Sequence, residues 1–200
     1  MTTTLTVTAL SELVYRYYPR GISPDDPRYE STDEHRRLVE ARLRAGASLG
    51  AWRSMLGRLR ARFPACVVQD RAFHLPSGSH DAAYAAKLLL PATEPEQSGH
   101  AIEHALGFLV SILAPCHVIY SSRIAYRIDD PNVATLPEIR LDLSSIEIPP
   151  ARAIAQEIQA SWDTRPLPRE IGEVVVPEVA TSIRAMGEAT IYDCLLSDDW

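Results

Sequence analysis

The stretch from His104 to Ile128, HALGFLVSILAPCHVIYSSRIAYRI, sets the terms for any fold this chain can adopt. In its second half Val118, Tyr120, Ile124, Tyr126 and Ile128 fall on one side. His117, Ser121, Arg123 and Arg127 fall on the other, with Ile119 and Ala125 between them. A two-residue period built from β-branched residues and tyrosines marks a long strand with one buried and one wetter face. The first half, Leu106 to Leu113, is apolar on both faces and suits a central place in the same sheet. Pro115 has no N–H to give a ladder, so the stretch reads as two strands meeting at a break near Ala114-Pro115.

Other elements are placed around this pair. Residues 5–18 fit a strand (Leu13, Tyr15, Tyr17) or a helical stripe (Ala9, Leu10, Leu13, Val14, Tyr17), and either ends at Pro19-Arg20-Gly21. Ser31, Thr32 and Asp33 are cap residues, and Ser31 with Glu34 has the capping-box spacing. They start a helix to about Gly46, with Leu38, Val39 and Leu43 facing inward. Trp52, Met55, Leu56, Leu59 and Phe63 then recur at helical spacing as one apolar stripe, stopped by Pro64. Ala65 to Phe73, Ala82 to Leu90 and Ile139 to Ile148 read as further strands. Pro149-Pro150 opens a helix on Ala153, Ile154, Ile158 and Trp162. A last strand is expected from Ala189 to Leu196. The grouping predicts a single α+β domain over residues 1–200, with a mainly antiparallel sheet of five or six strands and helices packed mostly on one face.

Two hundred residues bury enough apolar surface to fold without staples. Cys66, Cys116 and Cys194 are odd in number and form no CxxC pair, which suits free thiols in a reducing compartment. MTTTLTVTALSEL lacks a basic n-region and a sustained apolar core, and no stretch is long and apolar enough to span a bilayer. A cytoplasmic protein with no membrane partner is expected. Of the 20 basic side chains only Lys87 is a lysine. Residues 34–71 hold nine arginines against Glu34, Glu40 and Asp70, whereas residues 129–200 hold fourteen acids against five arginines. The arginine-rich helix face has no aromatic interleaving and matches no nucleic-acid motif, so nucleic acid is not expected as a partner.

The sharpest chemical pattern is His100-x-x-Glu103-His104, the inverted zinc-protease motif. On a helix, His100 and His104 point to one side as metal ligands and Glu103 can serve as general base. Glu173 or Glu178 is the right kind of third ligand. A strand at this position would instead splay the histidines. Ser77, Ser79, His80 and Asp81 contain triad residue types but sit almost side by side, which makes a turn rather than a triad. No phosphate-cradling glycine loop, dinucleotide fingerprint or calcium loop occurs, so no cofactor is expected. Tyr15, Tyr17 and Tyr18 suit either a half-buried face or a partner contact.

The segments LVYRYYPRGISPDD, LGFLVSILAPCHVIYSSR and GEATIYDCLLSDDW resemble paralogous families of small cytoplasmic bacterial proteins. Some of these resemble immunity proteins of contact-dependent or polymorphic toxin systems. The resemblance implies a binding protein that blocks a cognate toxin by direct protein–protein contact, and carries over no functional residue. A binding protein is therefore expected ahead of an enzyme, with a small zinc hydrolase on His100, Glu103 and His104 as the alternative. An inhibitor of a basic enzyme gains from acids placed where substrate phosphates sit. Glu188, Asp193, Asp198 and Asp199, with Trp200 as apolar anchor, are the expected partner-binding residues.

Overall fold

The computed structural model describes residues 5–72, 82–91, 100–130 and 133–197. Its backbone feature is an antiparallel hairpin of two twelve-residue strands, β3 (His100–Ser111) and β4 (Cys116–Arg127), broken at Ile112–Pro115 where the proline predicts it. Ser111 closes the turn: its hydroxyl accepts the N–H groups of Leu113 and Ala114 at 3.1 Å each. On the far side of β3 lies β2 (Ala83–Leu89), followed by β1 (Val67–Asp70), both antiparallel. Beyond β4 come β5 (Glu138–Arg140), antiparallel, and the two-residue β6 (Arg165–Pro166), parallel to the start of β4. The described residues thus form a six-stranded, mainly antiparallel sheet in an α+β domain.

Strand alternation sorts the side chains into two cores. One face carries Tyr84, Ala86 and Leu88 beside Leu106, Phe108 and Val110, and is covered by α3 (Leu49–Arg62) and α4 (Ile148–Ser161). The other carries Ala83, Leu109, Cys116 and Val118, and is covered by α1 (Val7–Val14) and α6 (Ile191–Leu195). The two long helices thus share one face, and the shorter α1 and α6 close the other. The physical reason is visible in β3, where Ala105 to Ser111 are all buried, so neither side can be left to water. Gly107 has a specific job there. A Cβ at that position would run into the ring of Tyr120, its cross-strand partner, which lies over it.

Residues 5–18 resolve as helix rather than strand. Thr6 caps α1 by accepting the Ala9 N–H, and Leu10 and Val14 face the core. The following tyrosines anchor this helix to the C-terminal segment: Tyr18 donates to the Cys194 carbonyl at 2.8 Å and Tyr15 to the Pro177 carbonyl at 3.1 Å. Helix α2 (Asp33–Ala47) starts from Thr32, but it buries Leu38, Ala41 and Ala45. Val39 and Leu43, expected inside, are exposed. Small alanines let the helix sit close on that stripe, so the bulkier leucine is not needed there. The strand expected over Ile139–Ile148 stops at Arg140, because a turn at Ser145–Glu147 and the prolines of α4 follow at once. A short helix α5 (Arg169–Gly172) then leads to the C-terminal loops. The strand expected from Ala189 is instead α6, started by a reciprocal Thr190–Asp193 capping box.

The 52–63 stripe packs as its spacing demands. Trp52, Met55, Leu56 and Leu59 have no exposed surface. Truncating Leu56 to Ala should destabilise the protein by about 2–4 kcal/mol, read from urea unfolding, since the sheet beneath cannot collapse into the hole. A change below about 1 kcal/mol would contradict this packing.

Candidate functional site

A dense polar cluster sits where β3, β4 and β5 meet the start of α4. Its centre is Glu147, whose side chain has no exposed surface. Glu147 Oε2 accepts the Ser144 N–H and the Ser144 hydroxyl, both at 2.6 Å, and Oε1 lies 2.7 Å from His104 Nε2 and 3.8 Å from Arg140. Burial by itself pushes this carboxyl up. Hydrogen bonds from Ser121, Ser144 and His104 outweigh it and hold the group down at about 2. An ionised carboxylate only accepts, so Nε2 carries the proton in this pair.

This grouping contains Glu, His and Ser but is not wired as a nucleophilic relay. A relay needs the carboxylate on one ring nitrogen and the hydroxyl on the other. Here Ser121 Oγ lies 3.5 Å from Nε2, the nitrogen that already faces Glu147, and Ser121 is buried. The cluster joins the helix start to the sheet, with its charged groups answering one another. Nearby on the same sheet face, His117 is buried, with Nδ1 3.0 Å from Thr164 Oγ1 and Nε2 without a partner among the described residues. Burial lowers its imidazole to about 4, so it is neutral near pH 7.

The HxxEH residues lie on β3, not on a helix. His100 and His104 share a sheet face, but four strand residues set their Cα atoms roughly 13 Å apart. Glu103 points to the opposite face, 4.0 Å from Lys87. The histidines are not the solvated pair of a loop junction either, since His104 is bound to Glu147. Glu173 is engaged by Arg169 at 2.7 Å, and Glu178 sits in a turn whose carbonyl accepts the Gly21 N–H. Among the described residues no three His, Cys, Asp or Glu side chains converge at metal-ligand distances. The three cysteines are free, and burial pushes the Cys116 thiol up to about 12.

Of the expected partner-binding residues, Glu188 is exposed on the loop before α6. Asp193 is a correction: it is 5% exposed, caps α6 through Thr190, and takes Arg184 at 3.2 Å. A carboxylate committed to its own helix start and its own arginine has nothing left to offer a partner. Asp198, Asp199 and Trp200, like the Ser77–Asp81 turn, lie outside the described residues. Reading along the chain missed Glu147, although Ser144-x-x-Glu147 ahead of Pro149 is the spacing that signals a helix start.

Surface chemistry is concentrated in the acidic half. Leu136 is 91% exposed, and Ile146, Val175, Ile183 and Met186 also present apolar surface. Between β5 and α5 lies an open cleft of about 470 Å³ lined by Arg140, Asp142, Arg169, Glu173 and Tyr192. Within it Arg169 bridges Asp142 and Glu173, so its charges are largely answered from within. No helix among the described residues is long and apolar enough to cross a membrane. Comparison with protein-family models, with curated proteins and with solved structures found no match for this chain.

Proposed function

We infer that this chain is a cytoplasmic binding protein that acts as an immunity-type inhibitor, blocking a cognate bacterial toxin by direct contact. The observation that supports this reading is the make-up of the exposed positions in residues 133–197, which include the apolar Leu136, Ile146, Ile183 and Met186 and the acidic Glu138, Asp142 and Glu188. Apolar anchors set in a charged rim are how protein interfaces combine affinity with partner choice. The internally satisfied Glu147 cluster offers no comparable reaction centre. The test is direct: the purified product of the adjacent gene should bind this chain by calorimetry, and its toxicity should vanish on co-expression. A toxic neighbour that neither binds nor is neutralised would defeat the reading.

A further inference from the structure

The sheet face closed at one end by α1 and α6 carries charge at its other end. Lys87 on β2 stands opposite Gly107, and the Tyr120 ring lies over that glycine. Glu103 reaches the same face from β3 and Tyr126 from β4. Arg71 joins them from just beyond β1, where its N–H donates to the Ala85 carbonyl at 2.9 Å. The side chains of Lys87 and Glu103 are only 14% and 22% exposed, and Nζ lies 4.0 Å from the Glu103 carboxylate. That is too long for a hydrogen bond, and among the described residues the ammonium makes no other ion pair or hydrogen bond.

An ammonium held mostly out of water by one loose partner is a poor structural device. Arginine, always charged and able to grip a carboxylate with two N–H groups, serves an ion pair better, and every other basic side chain of this chain is an arginine. What arginine cannot do is give up its proton; a lysine can, and its nitrogen then carries a lone pair. Burial, the largest influence, pulls the Lys87 amine below the ordinary lysine value; Glu103 opposes that shift and Arg71 adds to it.

We propose that Lys87 is a reactive amine that captures small aldehydes as an imine, with Glu103 carrying the protons. Glu103 takes a proton from the ammonium, and the freed pair on Nζ attacks the carbonyl carbon. A second proton passes from the nitrogen to the carbonyl oxygen, giving a carbinolamine. Glu103 then returns its proton to that hydroxyl, which leaves as water while the nitrogen pair closes the C=N bond. Nothing is oxidised or reduced, and the iminium keeps the positive charge that Glu103 already faces. A carboxylate standing long of its partner in the free protein is common and closes on the reacting atoms when substrate arrives. The small exposed fraction of Lys87 suits a short aldehyde rather than a bulky one. This chemistry is independent of the inhibitor reading.

The experiment incubates the full chain with propanal and excess cyanoborohydride, which traps the imine as a secondary amine, and locates the label by peptide mass spectrometry. Lys87 is the chain's one lysine, so the α-amine is the only competing primary amine. At neutral pH Lys87 should be labelled on the order of tenfold faster than a free lysine amide, as befits a desolvated amine beside a second cation. Glu103→Gln separates a proton carrier from a mere ion-pair partner. Loss of the charge alone would make the amine easier to deprotonate and speed labelling, whereas loss of the proton carrier should slow it by about tenfold or more. A Lys87 labelled no faster than the free amide, or labelled only in urea, overturns the proposal, and so does faster labelling in Glu103→Gln.

Discussion

Replacing Trp52 with Ala is expected to destabilise the protein by about 3–5 kcal/mol, lowering its melting temperature by roughly 10 °C or more. Trp52 has no exposed surface and is the hub of an aromatic cluster on the α3–α4 face. Its ring stacks on Tyr84 at 5.2 Å and meets Phe108 and Trp162 at 5.9 and 6.0 Å. Its Nε1–H also donates to Asp70 Oδ1 at 2.8 Å, tying α3 to the end of β1. Trp52→Phe separates the two contributions. It keeps most of the ring contact and removes the hydrogen bond, so its cost should fall to about 1–2 kcal/mol, at or below about half that of the alanine variant. Asp70 retains the Ala72 N–H at 2.9 Å and is not left bare. Urea unfolding gives both values, and equal costs for the two variants would show that packing contributes little.

Stability should fall with acid in two overlapping windows. His117 titrates near 6.5 when unfolded and about 4 when folded, because burial disfavours its charged form. A depressed folded value means that the unfolded chain takes up the proton first. The contribution is whole above pH 6.5 and disappears as pH drops toward 4. Glu147 follows at lower pH: its value falls from 4.5 unfolded to about 2 folded, so its contribution is present above pH 4.5 and lost on the way to 2. Each shift corresponds to on the order of 3 kcal/mol at full extent. The unfolding free energy measured from pH 8 to 3 should therefore start to decline near pH 6.5, before carboxylates of ordinary value protonate. His117→Gln should remove the upper part of the decline and Glu147→Gln the lower part. A profile flat down to pH 5 in the unaltered chain would show that His117 is not held neutral by the fold.

Periodicity found the elements it measures well. The β3–β4 hairpin and α3 each show a clean repeat, and the two-sided apolar run in β3 pointed to the central place that this strand holds in the sheet. What failed were short or weakly apolar segments. Ile191–Leu195 is apolar under either period, and only the Thr190–Asp193 capping pair decides for helix. In α2 the buried stripe runs through Ala41 and Ala45, which a hydrophobicity scale ranks below the exposed Leu43. The partner of His104 could not be read along the chain, because Glu147 lies 43 residues away and only sheet register brings it near.

The two cores draw on different parts of the chain, and this sets an order of events during synthesis. Everything in the Trp52 core lies between Ala45 and Trp162, so that side of the sheet can be covered once residue 162 has left the ribosome. The opposite side waits for residues 167–196, because the Val176–Leu196 segment supplies much of its cluster and the Cys194 carbonyl anchors Tyr18 after α1. Until then a nascent chain carries a sheet finished on one side and bare on the other, with Leu109, Cys116 and Val118 facing water. That interval is when a chaperone has most to hold, and when the buried thiol of Cys116 is open to oxidants that never reach it afterwards.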